Sequence, residues 1–199
     1  MKKKHFFAKI YLAFVLIMLY VPIFYLIYFS FSSGKNMNKF EHFTLAHYQT
    51  LFLDNRLLTI FLETILLAIL SSLVATIIGT FGAIAISNLN KKGHKNTLLA
   101  FNNVLMVSPD VIIGASFLIF FTALGMGLNF GSVLLSHIAF SIPIVVLMVL
   151  PRLKDLDLAL IDAARDLGAN NFQVFTNVII PAIMPGVFAG MFMALTYSL

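Results

Sequence analysis

Between two long apolar runs the chain reads Pro151-Arg152-Leu153-Lys154-Asp155-Leu156-Asp157-Leu158-Ala159-Leu160-Ile161-Asp162-Ala163-Ala164-Arg165-Asp166-Leu167-Gly168-Ala169-Asn170-Asn171-Phe172-Gln173-Val174-Phe175-Thr176-Asn177-Val178-Ile179-Ile180-Pro181. About thirty residues is long for a structureless connection in a compact chain, so this segment is predicted to fold. Leu156, Leu160, Ala163 and Leu167 recur at helical spacing and predict one apolar face, with Asp162, Arg165 and Asp166 towards the other side. Gly168 is placed to end that helix in a left-handed conformation. Asn170 and Gln173 have capping-box spacing and announce a second short helix carrying Phe172, Phe175 and Val178. Pro181 suits the first turn of the next helix. The product is a helix-turn-helix that exposes a small patch on which another protein can dock.

On both sides of this segment the chain is too apolar for water. It is 60% hydrophobic and 11% charged, with a mean hydropathy of +0.98, far from the usual half apolar and quarter charged. A soluble core of this size would need a polar exterior that these residues do not supply. The expected solvent is a lipid bilayer. Runs of the roughly 20 apolar residues that a spanning helix requires fall at about 10–31, 57–86, 97–124 and 132–150, and a fifth opens near Ala182 and continues to Leu199. The first run follows Met1-Lys2-Lys3-Lys4 but is longer than a signal-peptide core, which predicts an uncleaved helix. The fold expected is an all-α membrane protein, one transmembrane domain over 1–199 with four complete transmembrane helices and a truncated fifth.

Ten of the 13 Lys and Arg residues fall on one side of this pattern: Lys2, Lys3, Lys4 and Lys9, then Lys91, Lys92 and Lys95, then Arg152, Lys154 and Arg165. Lys35, Lys39 and Arg56 fall on the other. The excess belongs on the cytoplasmic side, which places the N-terminus, the 87–96 loop and the 151–180 segment there. Clustering in loops also explains the net charge of +5 without nucleic acid. With no cysteine and five histidines that lack ligand spacing, neither a metal nor a cofactor is expected.

Ser71, Ala75, Gly79 and Ala83 form a stripe of small residues, with Ser72, Thr76 and Thr80 beside it, and predict a seam where helices approach closely. Pro109 in Ser108-Pro109-Asp110 predicts a break or kink inside the third apolar run. Counted along a straight helix, Asp110 lies near mid-bilayer, where an ionisable group is a functional candidate; capping the broken helix is the plainer role, and the two can coexist. Ser108 and Asp110 are therefore the candidate substrate-path residues. Glu63 reads as a rim residue, Pro22 and Pro143 as kinks, and His137 as a packing histidine with its hydrogen bonds satisfied.

The hairpin resembles the cytoplasmic loop of the integral membrane subunits of type I ABC importers, which carry Glu-Ala-Ala, three residues, Gly, nine residues and Ile-x-Leu-Pro. Here the corresponding residues are Asp162-Ala163-Ala164, Gly168 and Val178-Ile179-Ile180-Pro181, with the spacing kept and three conservative changes. The resemblance implies a type I ABC importer permease fold. It also implies a coupling helix seated in a groove of a cytoplasmic ABC ATPase dimer. In it Ala163 and Ala164 would allow close approach, Gly168 would make the turn and Asp162 would supply a polar contact. Ser108-Pro109-Asp110, Ser136-His137, Pro151-Arg152-Leu153-Lys154 and Gly168-Ala169 resemble the permeases of spermidine/putrescine importers, in particular the second of their two permease subunits. That implies a second homologous permease, an extracellular or periplasmic substrate-binding protein, and no catalysis by this chain. Permeases for other small solutes share the loop motif. An ATP-independent carrier or channel would show repeats or paired interrupted helices, and a membrane-embedded enzyme would show paired catalytic groups at depth.

Overall fold

The computed structural model describes residues 2–34 and 36–199, so Met1 and Lys35, one of the three Lys and Arg residues assigned to the outer side, lie outside the described residues. The elements are helical in the order α1 Lys2–Ser30, α2 Ala46–Leu53, α3 Asn55–Ser87, α4 Lys92–Val107, α5 Asp110–Ala123, α6 Phe130–Lys154, α7 Leu158–Asp166, α8 Asn171–Val174 and α9 Ile180–Ser198. A π-helical turn, Phe175–Ile179, joins α8 to α9. Among the described residues, four stretches are long and apolar enough to cross a membrane: Lys9–Ser30, Asn55–Ser87, Phe130–Lys154 and Asn171–Ser198.

The chain divides into two compact units, one ending at Phe61 and the other Leu62–Leu199. In the first, the apolar side chains of α1 from Ile10 to Tyr28 are largely exposed, as expected of a helix whose solvent is lipid. Its exit is tied by an antiparallel bridge between Ser32 and Phe43, by stacked rings of Phe31 and Phe43, and by the Tyr25 hydroxyl, which donates to the Met37 carbonyl. The Asp54 carboxylate accepts from the backbone N–H groups of Arg56 and Leu57, at 2.9 and 3.2 Å, and so caps the start of α3.

The second unit is built on α6. Val145, Val146 and Val149 are buried with Ala83 of α3 and Ile183 and Ala194 of α9. All seven residues of the small-residue stripe and its flank are buried. The reason for the seam is steric: a Cβ on Gly79 would stand 2.7 Å from Val145 Cβ and 3.1 Å from the Ile142 carbonyl. On the α9 side Gly186 lies beside Val149 and Gly190 beside Val145, so α9 runs antiparallel to α6. Ser71 Oγ donates to Ser198 Oγ at 3.1 Å, linking α3 to α9. Small residues let these backbones approach where no hydrophobic effect would drive them together.

The third apolar run differs from its expected form. α4 starts at Lys92, inside the predicted loop, and α4 and α5 meet at 105°. At 16 and 14 residues they are each too short to span alone. Ser108 and Pro109 are both extended, with ψ of 137° and 135°. Proline pushes its predecessor out of the helical region, and two such residues in a row break a helix rather than kink it. The depth of Asp110 counted along one straight helix therefore does not apply. Pro22 and Pro143 lie within uninterrupted helices.

Candidate functional site

The hairpin forms as its capping residues dictate. The Asp157 carboxylate accepts from Ala159 N–H at 2.9 Å and starts α7. At the other end Gly168 has φ +86°, Ala169 N–H donates to the Ala164 carbonyl and Gly168 N–H to the Arg165 carbonyl. That pair of bonds is a Schellman ending, which requires the positive φ that glycine tolerates. Asn170 and Gln173 then exchange side-chain to backbone bonds of 2.8 and 2.9 Å, the expected capping box. The second helix does not stop before the next one, however: α8, the π turn and α9 form one rod. Pro181 lies in the first turn of α9, lacks an N–H and crowds the carbonyl four residues back, and a widened turn just before it relieves that conflict.

The expected apolar face of α7 is turned. Leu156, Ile161 and Ala164 are half-buried and Val174 is buried beneath the hairpin, while Leu160, Ala163 and Leu167 are exposed, Leu167 at 89%. A nine-residue helix this rich in Leu and Ala carries two apolar stripes, and spacing alone could not choose between them. The outward stripe, with Leu158 and Phe172 nearby and Asp162, Arg165 and Asp166 on its flank, is an exposed apolar patch rimmed by charge. Such patches mark interaction sites. Of the five motif residues, Asp162, Ala163 and Gly168 share this exposed surface, Ala164 packs inward, and Pro181 belongs to the rod beyond it.

A second constellation gathers around Asp110, the first residue of α5. Its carboxylate makes no capping bond, and the N-cap position is held by Pro109, so the capping role is not realised. It stands instead in the first turn, where the helix dipole stabilises negative charge. A cleft of about 220 Å³ is lined by Asp110, Ile113, Gly114 and Phe117 of α5, Ser136, His137 and Phe140 of α6, and Tyr197 of α9. His137 is not the satisfied packing histidine expected, since its Nδ1 is buried with no hydrogen-bond partner. Ser108 lies apart: its hydroxyl donates back to the Val104 carbonyl at 2.8 Å, and it lines a separate groove inside the α4–α5 bend. Glu63 is exposed on α3. Phe117, Phe140 and Tyr197 carried no sequence signal, being ordinary members of apolar runs until the fold brings them to one carboxylate. A carboxylate in an apolar, aromatic cleft is suited to an organic cation.

Residues 77–199 match the model of the family described as binding-protein-dependent transport system inner membrane component. The chain is 37% identical over 181 residues to the spermidine/putrescine transport system permease protein PotC of Escherichia coli strain K12, covering 91% of this chain and 68% of that one. It is 31% identical to PotC of Haemophilus influenzae, with 91% and 70% coverage. Against the putrescine transport system permease protein PotI of E. coli it is 29% identical over 187 residues, with 91% and 66% coverage. With a family match over more than half its length and a relative of this similarity, the chain belongs to the inner-membrane components of binding-protein-dependent transport systems.

Proposed function

We propose that this chain is a permease subunit of an ATP-driven polyamine importer. The observation that carries the reading is the 37% identity, over 91% of the chain, to a protein named as a spermidine/putrescine permease. In this reading the permease does no hydrolysis. A second homologous permease completes the path, a substrate-binding protein delivers the cargo from outside, and a cytoplasmic ATPase dimer drives alternation between outward and inward access. The exposed stripe of α7, with Ala163 and the flanking Asp162, enters the ATPase groove. Gly168 and the capped turn hold α7 rigidly to the rod that continues into α9, so that movement at the hairpin is passed to the spanning helix. The Asp110 carboxylate attracts the cationic cargo, because charge attraction in a partly dry cleft is far stronger than in water.

The same reading places the N-terminus and 151–180 in the cytoplasm of a multi-pass protein of the bacterial cell membrane. The Lys and Arg asymmetry supports this, and it requires the bent α4–α5 pair to cross the membrane as one broken span. The test is uptake of labelled putrescine or spermidine by proteoliposomes that hold the assembled transporter. Uptake is expected to require both loaded binding protein and ATP on the ATPase side. Equal uptake without ATP would make the protein a secondary carrier.

A further inference from the structure

Asp110 borders two clefts rather than one. Beside the larger lies a smaller space of about 120 Å³, lined by Leu105, Met106, Asp110, Phe140, Ile144 and Tyr197. The residues shared by both are Asp110, Phe140 and Tyr197. The two rings stand with centroids 5.9 Å apart at 70°, edge to face, so the contact between them covers a face of one ring at most and each keeps a face clear of the other. From this we infer that Phe140 and Tyr197 are specificity-determining residues that form, with the carboxylate, a narrow point between the two clefts where one ammonium group is read at a time.

The chemistry follows from the wall materials. An ammonium held against Asp110 satisfies its charge there and meets the negative face of a ring, an attraction that corresponds to a roughly 2- to 30-fold effect on affinity. The larger cleft is mainly apolar, and the smaller adds the side chains of Leu105, Met106 and Ile144 to Asp110 and the two rings, which suits methylene groups on either side of that nitrogen. The cargo read by such a site is a linear alkylamine with ammonium groups separated by short apolar segments, moving end-on. This deepens the polyamine reading and rests on it.

The experiment measures cargo delivered per ATP hydrolysed by the complete transporter in proteoliposomes, with putrescine-loaded binding protein, for wild type, Tyr197→Leu, Tyr197→Phe and Phe140→Leu. The leucine variants are expected to keep their ATPase stimulation by loaded binding protein but to deliver about 2- to 30-fold less putrescine per ATP. Tyr197→Phe, which keeps the ring, is expected to stay near wild type. A purely packing role would lower stimulation and delivery together. Unchanged delivery per ATP in both leucine variants, a fall in stimulation that parallels the fall in delivery, or a Tyr197→Phe variant as impaired as Tyr197→Leu, would each overturn the inference. Should Tyr197→Leu fail to co-purify with the ATPase, Tyr197→Met against Tyr197→Phe makes the same comparison. Absence of putrescine and spermidine uptake by the wild type would instead overturn the polyamine reading itself.

Discussion

Asp110 places a carboxylate in the first turn of α5, beside the rings of Phe117, Phe140 and Tyr197. An ionisable side chain inside an apolar run signals function because lipid offers it no partner, and that signal needs no structure. Its depth and its partners were not legible, because two consecutive extended residues, Ser108 and Pro109, turn the chain through 105° and bring in rings from α6 and α9 that look ordinary in sequence. Removing the charge while keeping the shape tests its role. Asp110→Asn is expected to lower polyamine uptake by about tenfold or more, roughly 1.4 kcal/mol at least, while co-purification with the ATPase is unchanged. Uptake at the wild-type rate would remove the carboxylate from the path. Gly168 is the opposite case, since its position after an amphipathic helix announced the positive φ that the structure contains.

Among the elements, periodicity and length identified the long helices because lipid imposes both. The predicted run 57–86 became Asn55–Ser87, and 132–150 became Phe130–Lys154, lengthened by Asn129, which caps α6 by accepting from Gly131 and Ser132. The small-residue stripe of α3 correctly marked a seam, since residues four apart share a helix face and only small ones permit contact there. Which face α7 turns inward was not legible, because Ile161 with Ala164 and Leu160 with Ala163 and Leu167 are both helical stripes and only the rod beneath distinguishes them. The seam gives a prediction at this scale. Gly79→Leu places its Cβ 2.7 Å from Val145 Cβ, and overpacking of this kind costs about 1–3 kcal/mol. Thermal unfolding in detergent should shift to lower temperature, whereas Gly93→Leu, at a site with open space around it, should not shift it.

For the whole molecule, the sequence carried the membrane environment, the helical class and the family through composition and the hairpin motif, all of which are local properties. Topology depends on whether the bent α4–α5 pair crosses the membrane or returns to its starting side, and the balance of Lys and Arg favours crossing. A Gly127→Cys variant should then react with an impermeant maleimide from outside intact cells and Ala169→Cys should not; the reverse pattern, Ala169→Cys labelled and Gly127→Cys protected, would mean a re-entrant pair, because α6 keeps the two positions on opposite sides. Transport in the proposed reading depends above all on the exposed stripe of α7 passing ATPase motion to the path. The decisive measurement is ATP hydrolysis by the assembled transporter with polyamine-loaded binding protein, comparing wild type with Ala163→Asp, a change at an exposed position that adds charge to the apolar patch. Strong stimulation is expected in the wild type and its loss in the variant, with membrane insertion intact; stimulation that survives Ala163→Asp undiminished would mean that α7 does not carry the coupling.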